Sequence, residues 1–252
     1  MKKLLYLLLA SFFIYSCEKD ESEAKDEFDK LIQPLEIGYS WTFIDSTFTN
    51  EGTLTKVDTS TVSVIGSEIA NYDGKEIELF YWKWDFYDRI WLKANEEGNN
   101  YIYGLREDDK SYLITKSLNH PYPLDIGDTW SKYNFRLQEE NDTIFGVISD
   151  TTETECKYKD YFFNTMIGDL ECVVSFYTRQ IDNDLSEKFI YYSPNIGYVG
   201  LENKVNSIVT FKKTLMNYDF SNKQDVATGL KSAQIKIDKE RTSDSYGMRI
   251  RK

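Results

Sequence analysis

Residues 33–41 read QPLEIGYSW and residues 121–130 read PYPLDIGDTW, so the phrase Pro-Leu-acid-Ile-Gly-x-x-Trp is written twice, 89 residues apart. Pro34 and Pro123 favour a turn, Gly38 and Gly127 relax the backbone, and Trp41 and Trp130 are large enough to seed a core. A strand pattern follows each tryptophan: Trp41, Phe43 and Asp45 alternate with Thr42 and Ile44, and Trp130, Lys132 and Asn134 alternate with Tyr133 and Phe135. The echo continues downstream. YDGKEIELFYW (72–82) answers MIGDLECVVSFY (166–177) at an offset of 94, and RIWLKANEEG (89–98) answers FIYYSPNIG (189–197) at 99. Two insertions of about five residues account for the drift, most simply at turns, with QEENDT (138–143) and IDNDLSE (181–187) as the candidates.

The expectation is therefore an all-β chain of two tandem, related antiparallel β-meander units, at residues 33–120 and 121–216, with five or six strands each and little helix. A half-barrel, a closed barrel and a sandwich all fit that pattern. The polar segment 217–252 is either an edge strand, centred on QIKIDK, or a tail.

The first 16 residues stand apart. Lys2 and Lys3 precede an apolar run from Leu4 to Tyr15, and Ser16-Cys17 closes it, which is the layout of a secretory leader. The run is short for a membrane span. Residues 17–32 begin with the charged, apolar-poor stretch CEKDESEAKDEFDK, a tether that cannot bury enough surface to fold. Removing Lys2 and Lys3 with the leader takes 30 basic residues to 28 against 42 acidic ones, a net charge of −14. That field repels phosphate backbones and anionic lipid, so nucleic acid is not an expected partner and attachment to a membrane would rest on acyl chains.

The segment IYSC (14–17) resembles a bacterial lipobox, which implies lipid attachment, palmitate included, at Cys17; Tyr15 departs from the small or β-branched residue usual there. Lys19-Asp20-Glu21 looks like the surface-export signal of Bacteroidota lipoproteins. The resemblance implies an outer-membrane lipoprotein facing the cell exterior, or otherwise the periplasm. The repeated Pro-Leu-x-x-Gly-x-x-Trp entry and YYSPNIG (191–197) are similar to small bacterial lipoproteins built from a duplicated β-meander, over most of residues 33–216. That similarity brings no activity with it.

No GxSxG, GxGxxG or Walker sequence is present, and His120 is the single histidine, in a proline-rich join where polar surface is the usual role. No catalytic residue, metal site or cofactor is expected. DNDLSE (182–187) has alternating oxygen side chains but lacks the glycine and length of a calcium loop. Cys156 and Cys172, in an exported chain, suggest a disulfide across an antiparallel pair. The richest stretch is LFYWKWDFYDRIW (79–91). On a strand, Phe80, Trp82, Trp84 and Phe86 share one face and Tyr81, Lys83, Asp85 and Tyr87 the other. The first face is expected to be core, with Tyr81, Tyr87 or Trp91 reaching solvent. Tyr81, Trp82, Trp84, Tyr87 and Trp91 are thus the candidate ligand-binding residues, suited to stacking a sugar or enclosing an apolar ligand. The function expected is a non-catalytic binding module for a glycan, a peptide or a protein of an uptake complex. A structural or assembly role and a carboxylate-based hydrolase stand as alternatives.

Overall fold

The structure is a computed structural model. It describes residues 31–107, 109–140 and 143–221, together with the backbone of 247–248. Cys17, the tether as far as residue 30 and most of the C-terminal segment lie outside the described residues.

Short turns alternate with β-prone runs, and the chain accordingly forms thirteen strands, with no helix among the described residues. They are β1 (Ser40–Phe48), β2 (Leu54–Tyr72), β3 (Lys75–Trp84), β4 (Ile90–Glu96), β5 (Asn99–Glu107), β6 (Lys110–His120), β7 (Thr129–Glu140), β8 (Thr143–Thr165), β9 (Gly168–Ile181), β10 (Asp184–Ser193), β11 (Gly197–Val205), β12 (Ile208–Asp219) and the short β13 (Gly247–Met248). Strands β1 to β6 form one antiparallel meander and β7 to β12 a second, and β1 pairs with β12. The pairing leaves a seam between β6 and β7, crossed by the Tyr133 N–H donating to Ser117 Oγ at 2.9 Å. The result is a nearly closed barrel, which decides among the three arrangements the sequence pattern left open.

The repeated phrase makes the same entry turn twice. Gly38 and Gly127 take φ of 94° and 93°, a conformation glycine adopts without steric cost. The Gly38 N–H donates to Val64 O (2.8 Å), Val64 N–H to Tyr39 O (2.8 Å) and Tyr39 N–H to Glu36 O (3.1 Å). In the second unit Gly127 donates to Cys156 O (2.9 Å), Cys156 to Asp128 O (2.8 Å) and Asp128 to Asp125 O (3.1 Å). The extra length of the second unit goes into longer hairpins. The five-residue connections 49–53 and 85–89 of the first unit correspond to two-residue connections at 141–142 and 182–183 on longer strands.

The long strands β2 and β8 bend at bulges, between Val64 and Ser67 and around Tyr158. Past the bulges, each strand folds with its neighbour across the outer face of its own unit. In the first unit Tyr72 meets Tyr103 edge-on at 4.9 Å and its hydroxyl accepts from the Lys116 N–H at 2.9 Å. In the second, the Met166 N–H donates to Leu215 O at 3.0 Å, and Phe163 stacks on Tyr191 at 4.0 Å while lying over Gly200. A Cβ at Gly200 would stand 2.4 Å from the Phe163 ring, so the close approach depends on glycine there.

This second layer corrects one expectation. Tyr81, expected to reach solvent, is 3% exposed. It points to the outer face, beneath the folded-back hairpin, beside Leu79, Leu92, Ala94 and Tyr103, and its hydroxyl donates to Glu68 Oε2 at 3.0 Å. Arg106 pairs with the same carboxylate at 3.4 Å.

Candidate functional site

The barrel interior is not uniformly buried. At the end formed by residues 31–39 and the β6–β7 connection, Ile32, Leu35, Tyr122 and Leu124 close the lumen over Trp41 and Trp130. Along each inward-facing row, burial then falls toward the other end: Trp82 is buried, Trp84 half-buried and Phe86 exposed; Tyr192 and Ile190 are buried and Lys188 half-buried; Ser175 is buried, Tyr177 half-buried and Arg179 exposed. Strand alternation keeps each row on one face. The lumen is therefore capped at one end, and its side chains become exposed toward the other.

Packed rings fill the closed half. Trp41 lies 4.9 Å from Trp82, Phe43 5.2 Å from Tyr198, and His120 is held between Trp130 (5.6 Å, parallel) and Tyr192 (4.1 Å, edge-on). His120 corrects the expectation of polar surface: it ends β6 inside the core, with Nε2 3.5 Å from Ser175 Oγ. Burial, then Lys132, lower its pKa to about 3, so it is neutral at physiological pH.

The lumen also carries charge. Lys93, Lys132 and Lys188 face inward from β4, β7 and β10, and none has a carboxylate partner among the described residues. Lys93 is 8% exposed, with its ammonium 4.0 Å above the Trp82 ring, where the π face replaces part of the lost hydration. Burial, aided by Lys132, lowers its pKa to about 7. Lys132 keeps some accessible surface yet is hemmed in by protein, the condition of a group recessed in a concavity; desolvation and then Lys188 lower its pKa to about 8. Lys188 lies in register between Tyr177 and Asn203. A fourth inward lysine, Lys213, differs: it donates to both Asp45 oxygens, at 2.6 and 2.7 Å, and is neutralised. Cross-strand from one another beside Lys132, Trp130 and Thr154 leave their indole N–H and hydroxyl without partners among the described residues.

Three of the sequence candidates come together on this wall. Trp82 is 3% exposed, Trp84 and Trp91 are half-buried, and Trp91 stands opposite Trp82 in register and edge-on to Phe135 at 5.3 Å. Tyr87 sits in the 85–89 connection, 56% exposed, against Phe86 at 4.6 Å, so it is a lip residue. Tyr81, behind the sheet, is not part of the lumen. The lysines were the residues missed. Their signal lay in the strand period, since Lys132 shares a face with Trp130 and Lys93 with Trp91.

The disulfide expected between Cys156 and Cys172 is not formed. Both thiols are free and buried, and the β8 bulges set Cys156 opposite Ser175 and Cys172 opposite Tyr161. Burial pushes their pKa values up to about 11 and about 12, which makes them inert as nucleophiles at neutral pH.

No family model matches the chain, and no curated protein matches it. Among solved structures, a Bacteroides fragilis protein described as exported and as having a YmcC-like fold is similar at 14% identity and a TM-score of 0.43, covering 75% of this chain and 99% of its own. A Parabacteroides distasonis protein described as a lipoprotein is similar at 14% identity and a TM-score of 0.38, with the same coverage.

Proposed function

We propose that the chain is a lipid-anchored, non-catalytic binding protein of the bacterial cell envelope, held at the outer membrane by acyl chains on Cys17 and taking its ligand through the open end of the barrel. The observation that supports binding is the lumen wall itself, where Lys93 stacks on Trp82, which stands opposite Trp91, and Lys132 faces the same lumen from β7, both without the acids that would neutralise them among the described residues. Burying a charge unpaired destabilises a fold, so its presence in an otherwise aromatic lumen points to a role outside stability. The leader, lipobox and charged tether of residues 1–32 support the location, and the Lys19-Asp20-Glu21 segment supports exposure on the cell surface. The six-strand order and the matched entry hydrogen bonds of the two units support descent from one duplicated unit, with β12 extending the second to Asp219.

Two measurements test this reading. Mass spectrometry of the membrane-extracted protein is expected to find a lipid-modified N-terminus at Cys17, lost in Cys17→Ala; an unmodified, soluble mature chain rejects the anchor. A glycan-array screen of the full chain in detergent is expected to give binding that Trp84→Ala weakens at least tenfold, compared at a temperature where the variant's own melt shows it folded, since Trp84 also packs on Phe43. Binding indifferent to both Trp84 and Lys132 would place the ligand outside the lumen.

A further inference from the structure

The chemistry of the lumen narrows the ligand, an inference that rests on the binding reading above. We infer that the lumen takes a sugar carrying an oxyanion ester, sulfate or phosphate, with the ester at Lys93, Lys132 and Lys188 and the ring against Trp84 and Trp91.

Four observations lead there. Lys93 is buried over the Trp82 ring, and strand alternation puts Lys132, two residues on from Trp130, and Lys188, cross-strand from Tyr177, on the lumen side too; none of the three has a carboxylate within ion-pair distance among the described residues. Two acids on the lumen side are already taken: Asp45 by Lys213, and Asp150, cross-strand from Asn134 on the Lys132 face, by Arg179 at 3.2 Å and by the Asn134 amide. An anion entering the lumen would therefore meet uncommitted donors.

The donors are ammonium groups, not guanidinium forks. Lysine binds phosphate as a point charge, and several ammonium groups together match an oxyanion whose charge is spread over several oxygens. The Trp130 indole N–H and the Thr154 hydroxyl, buried and without partners among the described residues, lie one step deeper on the Lys132 face.

The depth of the lumen selects against an acyl chain. Behind the lysines the lumen is taken up by Trp41, Phe43, His120, Tyr192 and Tyr198, packed ring on ring. Toward the open end the wall presents half-buried Trp84, Trp91 and Tyr177, with the Asp45-bound Lys213 ammonium 4.6 Å from the Trp84 ring. A flat C–H face on an indole and an ester on an ammonium cluster fit that geometry together.

The test is calorimetric titration of the full chain in detergent with glucose 6-sulfate, glucose 6-phosphate, the same two esters of N-acetylglucosamine, glucuronate, the neutral sugars, and inorganic sulfate and phosphate. The esters are expected to bind at least tenfold more tightly than the neutral sugars and the inorganic ions. Lys93→Met and Lys132→Met should each weaken ester binding about tenfold, while melting temperature holds or rises, because a buried unpaired charge gives way to an apolar chain of similar length. A fall in melting temperature with unchanged ester affinity makes the lysines structural and overturns the inference. Inorganic phosphate or sulfate binding as tightly as the esters makes this a free-anion site and overturns the sugar; a clear preference for glucuronate overturns the ester. Neutral sugars that bind through Trp84 but gain nothing from an ester leave the lumen a binding site and remove this ligand class. Silence from every probe, with no change at Trp84, removes both. The sulfate and phosphate arms, read against each other, give the source of the oxyanion.

Discussion

In the first unit the entry tryptophan, Trp41, is fully buried and donates its indole N–H to Ile196 O at 2.6 Å, and two residues on Phe43 is sealed against Tyr198 and Trp84. In the second unit Trp130 leaves the same N–H unpartnered, and Lys132 follows it two residues on. The backbones that present these side chains share their turn, its φ values and its three hydrogen bonds. One entry device therefore supports two walls of different chemistry. The first is satisfied and apolar and adds stability. The second keeps polar groups and a charge that cost stability, the usual condition of a site kept for a ligand.

Exchanging the two residues is the strongest way to break the comparison. Phe43→Lys puts an uncompensated charge at a position with no exposure and should cost on the order of 3–5 kcal/mol. The reciprocal Lys132→Phe removes such a charge and should stabilise by about 1 kcal/mol, provided the ring finds room. Trp41→Ala belongs with the large losses, about 3–5 kcal/mol from the vacated volume and the lost hydrogen bond. Urea unfolding of the three variants measures this. Equal losses from Phe43→Lys and Lys132→Phe would mean that both walls are ordinary core.

The pH dependence of stability gives a second, smaller effect. Lys93 titrates near 7 in the fold and at 10.5 when unfolded, and Lys132 near 8 in the fold. Between pH 7 and 9 the unfolded chain holds more protons at these lysines than the folded one, so stability should rise with pH, by an amount on the order of 1–3 kcal/mol. Above pH 9 the thiols oppose the rise, since buried Cys156 and Cys172 keep their protons to about 11 and about 12 while the unfolded thiols lose theirs near 9.0, so the profile should level off and fall only above pH 10.5, where the unfolded lysines also deprotonate. Lys93→Met should flatten the rise and leave the alkaline fall in place. A wild-type profile with no rise between pH 7 and 9 would show that Lys93 is solvated.

The architecture was more legible in the sequence than the site. The repeated turn phrase and the period-two runs encode strands locally, so the all-β fold and the two units' strand counts could be read from spacing. Barrel closure could not, because the β1–β12 pairing joins residues almost at opposite ends of the described chain. Tyr81 was misread because period two assigns a face but not what covers it, and here the bent β2–β3 hairpin covers the outer face. The cysteine pair was misread because a bulge shifts register without a marker in spacing. Lys132 and Lys93 were visible on tryptophan faces, yet only the closed lumen makes an inward lysine expensive and therefore informative.

The smallest effect is expected at the open rim, where the units differ in loop construction. The first unit ends there in the 85–89 connection, with Phe86 and Tyr87 each more than half exposed; the second ends in the β9–β10 hairpin, paired down to Ile181 and Asp184. Phe86 rests 5.4 Å from Trp84, and the Lys213 ammonium lies 5.7 Å from its ring but is already held by Asp45, so little burial depends on either aromatic. Phe86→Ala and Tyr87→Ala should each change stability by less than about 0.5 kcal/mol, as exposed substitutions do. Hydrogen exchange should separate the two rims in the same direction. The Asp85 and Tyr87 amides are bonded to Thr61 O and Trp84 O, whereas the hairpin amides belong to a continuous ladder, so exchange should be faster across 86–89 than across 179–186. A loss of 1.5 kcal/mol or more in Phe86→Ala, or equal protection at the two rims, would make the first rim as much a part of the packed barrel as the second and remove its role as a lip.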